Sequence, residues 1–145
     1  MTRVLGVDLG ERRIGLAVSD PGRVLASPLQ TLERAATPAD DHRAIARVVE
    51  EWEVGLVVVG LPLSLDGSIG PAAAKVLDEV EAIRGAMGCP VETYDERFTT
   101  VTADRLLADQ DLDARRRRTR VDQAAAAVLL QSWLDAQPDR ETLTR

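Results

Sequence analysis

A chain of 145 residues suits one domain with a continuous core, and 45% hydrophobic with 29% charged residues is an ordinary globular composition. No apolar run approaches the roughly 20 residues that cross a bilayer, and the single cysteine, Cys89, excludes an internal disulfide and any cysteine-based metal cluster. The net charge of −6 argues against a broadly basic surface, but Arg115, Arg116, Arg117, Arg118 and Arg120 stand together with no acid among them, which marks a local anion site.

In chain order, Arg3 to Leu9 and Ile14 to Ser19 are short apolar runs joined by "GERR", a hairpin, and Val24 to Thr31 supplies a third strand after "DPG". The first strand starts almost at the N-terminus with no secretory apolar region before it, so a cytoplasmic protein that does not enter membranes is expected. From Pro38 to Trp52 apolar residues recur at helical spacing. The β-branched run Val54 to Gly60 is a strand covered on both faces. The loop "LPLSLDGSIG" leads to a helix from Pro71 to Met87, "CPVETYDE" holds a short strand, and helices follow over Thr99 to Ala108 and Val121 to Ala136. The acids Asp40, Asp41, Glu50, Glu51, Glu53, Asp78, Glu79 and Glu81 are placed on outer helical faces, and His42 on the surface. This order predicts an α/β fold: a mixed five-stranded sheet, three antiparallel strands then parallel ones, flanked by helices. Residues 1–137 form one domain and 138–145 a flexible tail. With 3% aromatics, no base-stacking platform is expected.

Three carboxylates stand out. Asp8 lies in a strand whose alternation groups it with Val4 and Gly6, where an ionised side chain either caps the strand end or binds a cation; Gly6 and Gly10 leave room beside it. Glu96, in "YDERFTT", follows a strand whose C-terminal end faces the edge where loops carry chemistry. Asp122 is placed in the first turn of the last helix, where the dipole favours an acid, yet Ala125, Ala126 and Leu129 share its face. If the three converge, their repulsion is relieved by a divalent cation, and an all-oxygen set favours Mg²⁺ or Mn²⁺, one or two ions.

The segments "GVDLGERRIGLAVSD", "VVVGLPLSLDGSIGP", "DERFTT" and "VDQAAAAVLLQSWL", in this order and spacing, resemble the YqgF/RuvX family of bacterial RNase H-like proteins over nearly the whole chain. Two activities are associated with that family: Holliday junction resolution and nucleolytic processing of pre-16S rRNA. The resemblance implies an RNase H-like fold, with Asp8, Glu96 and Asp122 as catalytic, metal-binding acids of a metal-dependent nuclease. It implies a hydrolase of phosphodiester bonds whose partner is nucleic acid: structured RNA of a pre-ribosomal particle, with branched DNA as the alternative. A resolvase requires a homodimer and RNA trimming only a monomer. Where the family usually mixes lysine and arginine before the last aspartate, this chain has "RRRRTR". Arg12, Arg13, Arg97 and the cluster Arg115, Arg116, Arg117, Arg118 and Arg120 are the nucleic-acid-binding candidates, and the amides of the loop Leu61 to Gly70 are offered to a phosphate. The first hairpin also resembles the phosphate loop of actin-like and sugar-kinase ATPases, but those need a second domain for which this chain is too short; a non-catalytic factor that binds RNA or the transcription machinery is a further reading, against which the three acids argue, since a scaffold has no need of them.

Overall fold

The computed structural model describes residues 2–99 and 114–138, the last helix by its backbone alone as far as residue 123. The elements are β1 (Arg3–Leu9), β2 (Arg13–Ser19), β3 (Ala26–Glu33), α1 (Pro38–Glu51), β4 (Val54–Leu61), α2 (Pro71–Ala86), β5 (Val91–Asp95), a 3₁₀ turn (Glu96–Phe98) and α3 (Ala114–Ala136). The expected helix over Thr99 to Ala108 and the tail beyond residue 138 lie outside the described residues.

The strands form one sheet in the order β3-β2-β1-β4-β5. β1 to β3 pair antiparallel, and β4 pairs parallel with both β1 and β5. Strand alternation sends Leu5, Val7, Ile14, Leu16, Val57 and Val59 to one face, against Ile45, Val48, Val80 and Ile83 of α1 and α2. The other face presents Val4, Ala17, Leu56 and Val58 to Ala126, Leu130, Trp133 and Leu134 of α3. Gly6 sits under that helix: a Cβ there would lie 2.8 Å from the Leu130 Cβ and 3.1 Å from the Ala126 carbonyl oxygen. The space beside Asp8 that the glycine suggested is therefore filled by α3, whose alanines permit the approach.

Helix α1 starts as its sequence dictates, with Thr37 as N-cap accepting from Asp40 N and Pro38 in the first turn. Helix α3 differs from expectation. It begins at Ala114, not Val121, so the arginine run is helical and Asp122 lies more than two turns from the helix start, where the terminal dipole no longer accounts for it. Arginine is a good helix former, which explains the extension.

Strands β3 and β5 are the sheet edges. Pro28 interrupts β3, beside a register shift at Leu16/Ala17. The side chain of Gln131 accepts from Ala26 N at 2.8 Å and donates to Val24 O at 3.0 Å. On β5, Arg84 donates through Nε and Nη2 to Val91 O at 3.3 and 3.2 Å.

Two expectations about polar residues are overturned. Asp41 and His42 are buried, and Glu79 is nearly so, because Arg34 binds both carboxylates and Glu79 in turn holds His42. Arg34 Nη1 meets Asp41 Oδ2 at 3.2 Å and Glu79 Oε2 at 2.6 Å, its Nη2 meets Glu79 Oε1 at 2.9 Å, and its Nε donates to Gly10 O at 3.0 Å. His42 Nε2 lies 2.9 Å from Glu79 Oε2. Burial alone would raise the Glu79 carboxyl, but Arg34 and then His42 outweigh it and hold it below its ordinary value. The other acids named above, Asp40, Glu50, Glu51, Glu53, Asp78 and Glu81, are exposed as expected.

Candidate active site

Asp8 is the penultimate residue of β1 and Glu96 follows the last residue of β5, so both stand at the C-terminal edge of the parallel strands. β4 lies between them, which separates the two backbones by about 10 Å at ordinary strand spacing. The side chains nonetheless meet. Glu96 hydrogen-bonds Asp8, and Gly60 of β4 makes this possible: a Cβ at Gly60 would fall 2.4 Å from Glu96 Oε1 and 2.9 Å from its Cγ. The carboxyl of Glu96 thus lies across the bare backbone of the intervening strand. Desolvation first, and then the charge of Asp8, push its pKa up to about 8. Bringing the two carboxyls together therefore favours the protonated form of Glu96.

The 3₁₀ turn that carries Glu96 is pinned at both ends. Asp95 accepts from Arg97 N at 2.9 Å, and Thr99 Oγ1 donates to Glu96 O at 2.7 Å. Thr99 thus closes the C-terminal end of this turn, whereas its position before the expected helix over Thr99 to Ala108 suggested an N-cap, Thr99 or Thr100, for that helix; Thr100 lies outside the described residues. The Arg97 guanidinium is committed locally, with Nη2 at 2.6 Å from Asp95 Oδ2 and Nη1 donating to Leu65 O at 3.2 Å. It clamps the loop after β4 to the turn, and its guanidinium holds the Asp95 carboxyl below the ordinary range.

Part of that loop, residues 62–70, turns its amides inward instead of offering them to a phosphate. Ser64 N donates to Ser68 O, Gly67 N to Ser64 O and Ser68 N to Asp66 Oδ1. Gly67 has φ 86°, the left-handed conformation that the expected Asp66-Gly67 turn needs.

On the β1–β2 turn, Arg12 is exposed, whereas Arg13 Nε pairs with Glu33 Oε1 at 3.2 Å. Arg34 grips this turn from below, its main-chain N donating to Arg12 O at 2.9 Å and its side chain to Gly10 O. The side chains of Asp122, Arg115, Arg116, Arg117, Arg118 and Arg120 lie outside the described residues. By register, Asp122 precedes Ala126 and Leu130, the two residues that meet Gly6, by four and eight positions. The structure thus brings Asp8 and Glu96 together.

Two features escaped the sequence reading. One is Arg34, whose partners are distant in the chain. The other is Phe98, the only phenylalanine, which is 66% exposed two residues from Glu96. Proximity to "DER" was its only signal. A cleft of about 580 Å³ opens on the opposite sheet face, between α1 and α2 beside Gly10 and lined by the Arg34 network, apart from the carboxylate pair.

Among the described residues no group of three His, Cys, Asp or Glu could hold a metal ion, and no helix is long and apolar enough to cross a membrane. The Asp8–Glu96 pair nevertheless suits a hard divalent cation, because its two hard oxygen donors now need a proton to coexist.

Comparison with known proteins gives a consistent picture. A "Putative pre-16S rRNA nuclease" of Roseiflexus sp. (strain RS-1) is 44% identical over 135 residues, covering 93% of this chain and 95% of its own. A protein of the same name from Anaeromyxobacter sp. (strain Fw109-5) is 48% identical over 133 residues, covering 92% and 96%. Among solved structures, "T. thermophilus RuvC in complex with Holliday junction substrate" matches with a TM-score of 0.57 at 19% identity over 94% of this chain and 95% of that one, which gives the fold as RNase H-like. A family model described as "RuvX: Holliday junction resolvase" matches residues 2–136, and on that match, together with these relatives, the chain belongs to the RuvX family.

Proposed function

We propose that this protein is a metal-dependent nuclease that hydrolyses phosphodiester bonds in 5′-end maturation of pre-16S rRNA. The observation that carries the reading is the meeting of Asp8 and Glu96 across Gly60 at the C-terminal edge of the sheet. Two carboxyls held against each other over a bare strand are unfavourable on their own and are relieved by a cation between them. The family match and the printed names of the relatives support the reaction class and the RNA substrate.

Asp8 and Glu96, with Asp122 as third ligand, would hold one or two Mg²⁺ or Mn²⁺ ions. Bound there, a divalent cation lowers the pKa of water and offsets charge on the phosphodiester oxygens. The chain's own groups set the geometry. Gly60 admits the Glu96 carboxyl, the capped 3₁₀ turn fixes it, and Arg34 holds the turn that follows Asp8. Arg12, exposed on that turn, contacts phosphate. Arg13 joins it there, Arg97 shapes the opposite rim through Leu65, and Arg115, Arg116, Arg117, Arg118 and Arg120 on α3 bind the phosphate backbone of structured RNA in a pre-ribosomal particle.

Cleavage of a labelled pre-16S 5′ segment and of a mobile four-way DNA junction, each in Mg²⁺ or Mn²⁺ with wild type and Asp8→Asn, tests the proposal. Cutting of the RNA that leaves 5′-phosphate and 3′-hydroxyl ends and vanishes in Asp8→Asn is expected. Paired symmetric nicks confined to the junction would identify a resolvase, and cyclic 2′,3′-phosphate ends would exclude this mechanism.

A further inference from the structure

Phe98 is misplaced for a core residue. It is the only phenylalanine of the chain, yet 66% of it is exposed, on the rim that carries Glu96. A single exposed apolar residue is unremarkable by itself, and it is the setting of this ring that carries meaning. Three further observations point to a function. The ring is presented rigidly: the turn beneath it is capped by Asp95 and by Thr99, and no glycine interrupts it. It rests on Tyr94, with ring centroids 5.8 Å apart at 50°, and Tyr94 is itself fixed by a 2.9 Å hydrogen bond between its hydroxyl and Ser132 Oγ on α3. The neighbouring rim is also apolar. Leu65, 97% exposed, lies on the loop that Arg97 clamps to the same turn, so an apolar surface flanks the carboxylate pair.

We propose that Phe98 stacks on an unpaired nucleobase next to the scissile phosphate, so that the site takes substrates whose bases are unstacked at the cut. This rests on the nuclease reading and deepens it by naming the substrate class. A ring held two residues from a catalytic carboxylate meets whatever lies beside the reacting phosphate, and every base offers a π face to it. In a continuous duplex both faces of each base are already covered by neighbours, and the ring finds no partner. The sequence argued against a platform of several rings; one ring fixed at the site discriminates by a different means, as a gauge of whether the adjacent base is free.

The experiment uses a hairpin RNA with a single-stranded flank, 2-aminopurine replacing each flanking base in turn, and a fully paired RNA of equal length, with binding measured in EDTA. Wild type is expected to quench the fluorescence at one flank position. Phe98→Ala should lose that quenching and bind the flanked RNA about tenfold more weakly, while binding the paired RNA as wild type does. Phe98→Trp should restore both effects. Unaltered melting temperatures establish that the variants are folded. Equal losses on paired and flanked RNA, or no loss at all, would overturn the proposal. Cleavage in Mg²⁺ separates the two readings: cutting without a fluorescence response removes the stacking role alone, and a fluorescence response without cutting removes the nuclease reading alone.

Discussion

Replacing Gly60 by alanine tests the geometry of the carboxylate pair without touching either acid. The added Cβ would stand 2.4 Å from Glu96 Oε1, 2.9 Å from Cγ and 3.1 Å from Cδ. Ordinary contact begins at 3.4 Å, so the carboxyl must retreat by about 1 Å, and a displacement of that size at a reacting centre costs about 10²-fold in rate. The strand itself gains, since alanine is better than glycine in a strand interior by about 0.5–1 kcal/mol, so global stability should not fall. Displacing the Glu96 carboxyl also changes its contact with Asp8, which is second to desolvation in raising its pKa. The assay is steady-state cleavage in Mg²⁺ together with a carbon-13 NMR titration of the Glu96 carboxyl. The expected result is a kcat lower by about 10²-fold and a titration midpoint shifted from that of wild type. A Gly60→Ala protein with wild-type kcat and an unchanged midpoint would show that Glu96 does not need the space above Gly60, and the account of the site would fail.

Other perturbations follow from the same charges. Glu96 titrates at about 8 when folded against 4.5 for the ordinary carboxyl, so the folded chain holds a proton that the unfolded chain has released. Stability is therefore fully present below pH 4.5 and is lost as pH rises to 8. The shift bounds the loss at about 5 kcal/mol, which solvent screening of a half-buried group reduces to about 2 kcal/mol. Glu96→Gln should abolish this slope in urea denaturation between pH 5 and 9, and a parallel slope in the variant would refute the assignment. Mn²⁺ at a hundredfold over its Kd should stabilise wild type by about 2.7 kcal/mol and Asp8→Asn much less, read as thermal shift. Arg34→Gln leaves Glu79 and Asp41 buried without their cation and should cost about 3 kcal/mol at pH 7. Because Arg34 holds Glu79 below its ordinary value, that contribution is present above the unfolded carboxyl pKa and lost as pH falls, so the difference between wild type and variant should shrink by pH 4. Arg116→Ala with Arg117→Ala should flatten the salt dependence of RNA binding by about 0.7–0.9 for each phosphate no longer neutralised, while Mn²⁺ affinity stays unchanged.

Much of the architecture is legible in the residues because the signals are local. The alternation of β1, the β-branched run of β4 and the Pro38 start of α1 each identify an element from its own composition, whereas the strand order β3-β2-β1-β4-β5 is seen only in the structure. Asp8 and Glu96 are conspicuous because each puts a charge at a strand end. What the sequence hides are interactions whose partners are remote. His42, Asp41 and Glu79 read as surface residues until Arg34, 7 to 45 positions away, gathers them. The start of α3 is obscured because a run of arginines reads equally as linker or helix. Gly60 reads as the end of a strand, and only the reach of Glu96 across it shows why a side chain cannot stand there.

The edges of the sheet also constrain how the protein meets other molecules. On β3 a proline removes a donor and Gln131 occupies the main chain at one end; on β5 the strand is five residues long and Arg84 has taken the carbonyl of Val91. A visiting strand from another copy, or from a partner's extended tail, finds at both edges a ladder with rungs missing. Association must then run through side chains at the strand ends and on the helices. The same features blunt edge-to-edge pairing of a sheet rich in valine.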